Sequence, residues 1–504
     1  MRKRHLSHFE LPNDKWNLVD DSLLYRIVKD AEDKVYKKIF SFDLDNTLIL
    51  SRSFFKPAQN EHDYIFYADV IDFIKKKRNE NYKIIIFSNQ KGVSTGKISL
   101  LNIVNRVDDV IDKIGIPLEC YLALKNDKYR KPRIGMYNFA LQNNKAKIEE
   151  IIYVGDNANR IYDDNFKTKF INHLKCVYTQ NKVNINIGEI AKRLKKDYTD
   201  TDLKFALNIK ATFYTPEELF LNIKNNISTE FSFNPSTLLK NVDIKSNEQD
   251  AQGDLRRLLR PDLHLGHEQK EASSPKNETQ NGKQGETASP QTDTQADTQT
   301  GTKNGTKNGT ENGTENGTEN ETQDEGASPP NDLPQSPPQG EQYLVLLIGP
   351  PGCGKTSICK KYFADFVSIN LEELSTKNKR IDTIRQSITS GKNVVMDNAN
   401  IYVKNRLIYI SEAKKINANL KVSAIFFQYS KELVFHLNNF KMITDEENIM
   451  HEVPTIAIHS FYKYVEVPSE SENFDRVVTL HDEHFVPSDL QNEERRKLFF
   501  SYLY

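Results

Sequence analysis

Cysteine is scarce: there are four in 504 residues, Cys120, Cys176, Cys353 and Cys359, and no two are spaced as C-x-x-C. That argues against zinc sites and structural disulfides and for a reducing, intracellular compartment. A surplus of either charge is also lacking, since 69 Lys and Arg nearly cancel 70 Asp and Glu. No global positive field exists to hold a long stretch of nucleic acid, so any such contact must be local. Nor does any apolar run approach the length that spans a bilayer, and Met1-Arg2-Lys3-Arg4-His5 lacks the apolar stretch of a secretory signal. No membrane association is expected. Apolar residues make up 37% of the chain, enough to build cores in part of it only.

What is there falls into four stretches. Residues 1–35 form a short extension. Residues 36–232 alternate β-rich apolar runs, such as Lys38-Ile-Phe-Ser-Phe-Asp43, Lys83-Ile-Ile-Ile-Phe-Ser88 and Ile151-Ile-Tyr-Val-Gly-Asp156, with longer amphipathic segments. Short buried strands separated by helical patterns predict βαβ units and a doubly wound parallel sheet, with ligands beyond the carboxyl ends of the strands. Asp43, Ser88 and Asp156 fall there. Residues 233–340 turn to Asn, Gly, Thr, Gln, Ser and Pro and include the repeats Lys303-Asn-Gly-Thr306 and Glu311-Asn-Gly-Thr314. Nothing there can bury a core, so a disordered tether is expected, with an r.m.s. span of roughly 50 to 60 Å, enough to decouple what it joins. Residues 341–504 reopen an α/β pattern at Gln342-Tyr-Leu-Val-Leu-Leu-Ile348. The expected fold class is α/β, with two doubly wound parallel-sheet domains.

Asp43-Leu-Asp45-Asn-Thr47 ends the first strand with two carboxylates two residues apart and a hydroxyl. Two such aspartates can divide labour, one attacking phosphorus and the other serving as acid and then base, if their environments separate their pKa values. Alone, the pattern is also an ordinary strand-end turn. Ser88 can hydrogen-bond phosphoryl oxygens, Lys131 offers them a point charge, and Asp156 is a carboxylate suited to Mg²⁺. The set, in this order, is specific where each member is not. Asp43, Asp45 and Asp156 are therefore candidate metal ligands, with Thr47, Ser88 and Lys131 around the phosphate.

The set resembles the haloacid dehalogenase superfamily, in which the first aspartate becomes a transient aspartyl-phosphate and the second is acid and base. Phe87-Ser-Asn89-Gln90 with Gly92 and Gly96, Tyr129-Arg-Lys131-Pro132, Val154-Gly-Asp156, Asp197-Tyr-Thr199 leading through Asp202 to Phe205-Ala-Leu-Asn208, and Thr215-Pro-Glu-Glu-Leu-Phe220 are similar to the phosphatase domain of the polynucleotide kinase 3′-phosphatase family. The resemblance implies removal of 3′-phosphates from DNA strand ends (nicks, gaps, breaks) with Mg²⁺, and a nuclear place in DNA repair. It also brings Asn89, Asp202 and Arg52 to the substrate side. Asn46 stands where the family usually has Gly, and Thr95 where an Arg is common. Lys192-Arg193-Leu-Lys195-Lys196 can track a DNA backbone by charge, although such runs are usually solvated faces. Only about 35 residues precede the first strand, too few for the N-terminal phosphopeptide-binding domain of animal relatives. A monomer is expected.

Gly349-Pro-Pro-Gly352-Cys-Gly354-Lys355-Thr356 directly after a strand has the spacing of a P-loop. Its glycines let backbone N–H groups cradle phosphates, Lys355 reaches the outer ones and Thr356 can ligate Mg²⁺, so nucleotide binding, with ATP as the cofactor, is expected. This half, too, resembles the family, in its kinase domain, as does Val395-Met-Asp397-Asn-Ala-Asn400 with Arg406. The family's base for the 5′-hydroxyl is an Asp; Asn370-Leu371-Glu372 puts Glu372 there, and a misplacement of about 1 Å can cost on the order of a hundred-fold. The family's lid arginines are missing from Asn438-Asn439-Phe440-Lys441-Met442, and a lysine lacks their planar fork. Phosphatase activity is expected and kinase activity doubtful. Two rival readings stay open: a C-terminal half that only binds nucleotide or DNA, and a small-metabolite phosphatase fused to a metabolite kinase, since both folds host many substrates.

Overall fold

The computed structural model describes residues 11, 13–30, 34–58, 60–142, 144, 146–224, 226–239, 341–371, 373–444, 453–487, 490 and 492–504. The expected tether lies almost wholly outside them, as does Glu372.

The first half is one sheet of seven strands, β1 (Asn17–Val19), β2 (Leu23–Val28), β3 (Lys38–Phe42), β6 (Tyr82–Asn89), β7 (Leu118–Ala123), β8 (Glu150–Val154) and β9 (Thr212–Tyr214), in the order β1-β2-β7-β6-β3-β8-β9. A small two-stranded sheet, β4 (Ile49–Ser51) and β5 (Tyr64–Phe66), follows the turn after β3. The helices are α1 (Val70–Asn79), α2 (Leu100–Ile114), α3 (Gly135–Leu141), α4 (Asp164–Gln180), α5 (Ile187–Arg193), α6 (Thr201–Asn208) and α7 (Pro216–Leu221). Side chains alternate across each strand, so the uninterrupted apolar runs feed two cores. Phe40, Phe42, Ile84, Ile86 and Val154 pack on one face, and Ile39, Ile85, Phe87 and Tyr153 on the other.

From β7 to β9 the strands are parallel, as expected, but β1 and β2 join antiparallel at the edge. Trp16 explains why that edge holds: it is fully buried, and its indole N–H donates to Asp108 at 2.8 Å while Arg26 reaches the same carboxylate. Asn17–Val19 and Leu23–Val28 of the extension are thus part of this sheet.

The second half is a five-stranded parallel sheet in the order β11-β12-β10-β13-β14, formed by β10 (Tyr343–Ile348), β11 (Val367–Asn370), β12 (Val394–Asp397), β13 (Lys421–Phe427) and β14 (Arg476–Leu480). Its helices are α8 (Lys355–Tyr362), α9 (Lys377–Thr389), α10 (Val403–Ile416), α11 (Lys431–Thr444), α12 (Thr455–Tyr464) and α13 (Glu493–Phe499). Val345 and Leu347 face one core, Leu344, Leu346 and Ile348 the other.

The two halves belong to one compact unit, and the expectation that the tether decouples them does not hold. Leu238, downstream of the first half, is buried in the core of the second, and Arg133 of the first donates to the Leu503 carbonyl at 3.0 Å. A long tether limits coupling only where no interface forms, and its length carries no information about one. No helix among the described residues is long and apolar enough to cross a membrane.

Candidate active site

Three neighbouring parallel strands of the first sheet, β6, β3 and β8, present their carboxyl ends side by side, so residues distant in sequence meet there. Asp43 follows β3 and keeps the sheet geometry one residue longer, its N–H donating to Val154 O at 2.8 Å. Asp156 lies two residues past β8, and Asp202 arrives on α6. One carboxylate oxygen of each lies within 4.8 Å of the others. Gly155 permits this approach: a Cβ there would stand 2.5 Å from the Cβ and Cγ of Asp202.

Lys131 is the cation of this cluster. Its ammonium, almost fully buried, donates to Asp43 at 2.5 Å, to Asp202 at 2.8 Å and to the Tyr153 hydroxyl at 2.7 Å, and that hydroxyl donates to Asp202 at 2.7 Å. Asn89 holds the lysine in place through its backbone: its carboxamide accepts from Lys131 N–H at 2.9 Å and donates to Lys131 O at 3.1 Å. Lys131-Pro132 is a cis peptide.

Burial pushes the Asp43 carboxyl up to about 7, helped by the charge of Asp202 and opposed by Lys131. Burial likewise drives Asp156 well above the usual carboxylate range, with Asp202 and Asp43 adding to it. Asp202 goes the other way, because Lys131 and its hydrogen bonds outweigh burial. Burial alone would lower the Lys131 pKa, but the two aspartates more than reverse it. Lys131 thus serves two of the three converging carboxylates, Asp43 and Asp202, while burial opposes the ionisation of Asp43 and Asp156. That charge deficit, in an all-oxygen donor set, fits a hard divalent cation.

Asp45 faces elsewhere. Its carboxylate accepts from Gln90 Nε2 at 2.7 Å and lies 3.5 Å from Arg106, half-exposed and outside the trio of converging carboxylates. This separates the two aspartates as a division of roles requires, but it leaves the Asp45 side chain away from the metal position expected for it. Asp202, expected on the substrate side, takes its place in the trio. Ser88 is buried at the end of β6 and accepts from the same Gln90 amide at 2.9 Å. Thr47 is fully buried with its hydroxyl unpartnered. Arg52, half-buried after β4, donates its backbone N–H to Asp63 O at 3.4 Å, outside the trio of converging carboxylates. Asn46 has φ +60°, so the residue standing for a usual Gly meets the same backbone demand, which Asn tolerates.

Sequence reasoning gave no role to Tyr153, Gln90 or Arg160. Tyr153 sits within an apolar strand, where its hydroxyl gives no sign in the pattern. Arg160 is buried and forks onto Asp197 at 2.8 and 3.0 Å, reaches Glu217 at 2.7 Å and donates to the Asp156 carbonyl at 2.8 Å. It fixes the backbone that carries one carboxylate of the trio.

Residues 38–220 match the family model described as polynucleotide kinase 3 phosphatase. Residues 345–457 match the model of the ATPase family associated with various cellular activities. Over most of its length the chain is 24% identical to the bifunctional polynucleotide phosphatase/kinase of Schizosaccharomyces pombe, across 468 residues that cover 92% of this chain and 83% of that one. A protein of Acanthamoeba polyphaga mimivirus that provisionally carries the same name is 26% identical over 462 residues, 88% of this chain and 84% of that one. The polynucleotide 3′-phosphatase of Saccharomyces mikatae is 26% identical over 218 residues, 36% of this chain and 84% of that one.

The P-loop of the second half has the geometry its glycines suggest. Gly352 and Gly354 take φ +83° and +95°, and a Cβ on Gly349 would meet Phe427 at 2.8 Å. Lys355 is folded down, donating to Gly349 O at 3.0 Å and Pro350 O at 2.8 Å, while Thr356 is exposed at the start of α8 and Asp397 is buried at the end of β12. Arg406, part of the family resemblance, is a structural residue: fully buried, it holds Glu472 at 2.7 and 2.8 Å.

Proposed function

We propose that this protein removes the 3′-phosphate from DNA strand ends through an aspartyl-phosphate on Asp43, acting in the nucleus in DNA end repair. The observation that carries the reading is the buried Lys131 bridging Asp43 and Asp202 beside Asp156, within the segment similar to polynucleotide kinase 3 phosphatases. Asp43 attacks phosphorus as the bond to the 3′-oxygen breaks, and Asp45 protonates that leaving oxygen. Asp45 then takes a proton from the water that attacks the aspartyl-phosphate, releasing phosphate and restoring Asp43. Lys131 stabilises charge on the phosphoryl oxygens, and Ser88 offers them a hydrogen bond. Asp43, Asp156 and Asp202 would hold Mg²⁺, which when bound neutralises phosphoryl charge.

The P-loop supports ATP binding by the second half, but a weakened kinase. On α11, Asn438 lies against the loop, its Cβ 3.7 Å from where a Cβ on Gly352 would be, and Lys441 is exposed. The helix carries no arginine, and arginines over transferring phosphoryl groups are worth roughly a thousand-fold or more. The test uses a nicked duplex with a 3′-phosphate and a 5′-hydroxyl, Mg²⁺ and ATP, scoring each end. We expect 3′-phosphate loss to outrun 5′-phosphate gain by about a thousand-fold. Equal rates would overturn the weakened kinase, and an unchanged 3′ end with turnover of small phosphomonoesters would favour a metabolite phosphatase.

The raised Asp43 pKa gives a pH test. A carboxyl whose folded pKa, about 7, exceeds its ordinary 3.8 favours folding while protonated, and that contribution fades as pH rises through 7. Asp202 is shifted the other way and acts only below its ordinary 3.8, outside this window. Between pH 5.5 and 8 without metal, wild type should therefore lose more stability than Asp43→Asn, which keeps the like-signed contribution of Asp156 and the opposing one of His436, whose pKa burial lowers to about 4; Mg²⁺ should recover most of that difference. A wild-type slope equal to that of Asp43→Asn in melting curves without metal would refute it.

A further inference from the structure

The phosphatase site is assembled by the first half, yet the residues flanking its key side chains are fastened to the second. Asn208, at the end of α6, donates to Pro132 O at 2.8 Å and to Tyr502 O at 2.8 Å, and accepts from Tyr502 N–H at 2.8 Å. Pro132 directly follows Lys131. Arg133, buried, donates to Leu503 O at 3.0 Å and to Asn439 of α11 at 2.6 Å, while its other nitrogen holds Asp127 O at 2.7 Å. Lys204, two residues beyond Asp202, donates to Tyr504 O at 3.0 Å. The bonds thus meet the chain on both sides of the Lys131–Asp202 ion pair.

On its own side the segment 502–504 is firmly seated. Leu503 is fully buried with Leu433, Phe440 and Phe499, and the Tyr504 hydroxyl donates to Glu432 O at 2.9 Å. Three backbone carbonyls anchored in the P-loop half therefore fix the loop that carries Lys131 and the helix that carries Asp202.

We propose that residues 502–504, held by Asn208, Arg133 and Lys204, position Lys131 and Asp202, so that the phosphatase site of this chain is set by both halves. This rests on the phosphatase reading above. Asn208 and Arg133 are positioning residues: neither touches Asp43, and each acts through the peptide next to Lys131 or through α6. A displacement of about 1 Å at a reacting group can cost up to roughly a hundred-fold in rate, and it appears in kcat, because substrate is still bound by other groups.

The test uses the full chain with Asn208→Ala on one half and Leu503→Ala on the other, assayed on a 3′-phosphorylated nick and on p-nitrophenyl phosphate. Each variant should lower kcat on both substrates by about ten- to a hundred-fold with KM within about twofold, while ATP binding at the P-loop stays unchanged. The double variant should lose no more than the worse single one, because both break the same link. Arg133→Lys, which keeps the charge but cannot hold Leu503 and Asn439 together, should fall between wild type and Asn208→Ala, and it decides the matter if Asn208→Ala does not fold. Folded variants with wild-type kcat, or losses that multiply in the double variant, would overturn the proposal. An inactive wild type would instead remove the phosphatase reading.

Discussion

Replacing Asp43 by Asn should abolish 3′-phosphate removal, by about 10⁴-fold or more, without weakening the fold. The asparagine keeps the shape and still offers Lys131 an oxygen, so the buried ammonium that now sits 2.5 Å from Asp43 retains a partner. It removes one of three mutually repelling carboxylates, so melting should rise or stay level in the absence of metal. An amide nitrogen or oxygen cannot form the acyl phosphate, which is why the loss exceeds that of any positioning variant. Asp45→Asn tests the other half of the division. Its carboxylate is outside the cluster and touched by Gln90 and Arg106, so losing its proton transfers should cost about 10²- to 10⁴-fold. Asp45→Asn should also let the phosphorylated chain accumulate, visible as a phosphate-sized mass increment in acid-quenched protein. Asp43→Asn should show none. Comparable activity in the two variants would remove the assignment of Asp43 as nucleophile.

The carboxyl-end rule of parallel sheets made the centre of this site readable from residue order alone, because Asp43, Ser88 and Asp156 end or follow strands that stand side by side. What escaped depends on packing between elements. Asp202 reaches the trio because α6 crosses the end of β8 and Gly155 leaves room, and neither the crossing nor the room is visible in a periodicity. Asp45 was expected among the metal ligands, but the tight turn after β3, closed by Leu48 and Ile49 N–H groups on Leu44 O at 2.9 and 3.1 Å, sends its side chain to Gln90 instead. Asn89 was expected on the substrate side, yet its carboxamide bonds the backbone of Lys131, a link across 42 residues that no local pattern announces. The turn from Gly349 to Gly354 was legible because its conformation is set by consecutive backbone groups, with Gly352 and Gly354 at φ +83° and +95°. The link between the halves was not, since it runs largely through carbonyls of Tyr502, Leu503 and Tyr504 and so is independent of side-chain type.

Arg160→Met should be the most destabilising single change in the phosphatase half, by about 3 to 5 kcal/mol. Arg160 is almost fully buried and is the cation of two buried carboxylates at once, Asp197 at 2.8 Å and Glu217 at 2.7 Å. Methionine fills the volume but leaves both charges facing an apolar side chain. Asp197 keeps some support from the N–H groups of Ala158 and residue 160, at 2.9 and 3.0 Å, and from the Tyr162 hydroxyl, while Glu217 loses its ion-pair partner. For a domain of this size the loss corresponds to roughly 10 °C in melting temperature. Arg160→Lys should recover only part of it, because an ammonium cannot reproduce the fork onto Asp197 while reaching Glu217 and the Asp156 carbonyl. That last bond links stability to chemistry: without it the turn carrying Asp156 is less fixed, the cation site weakens, and the surviving activity should need more Mg²⁺. Calorimetric melting and a Mg²⁺ titration of the phosphatase rate separate the two effects. A melting temperature within about 2 °C of wild type for Arg160→Met would mean that the buried carboxylates find other partners or protonate, and the network would then be incidental to the site it borders.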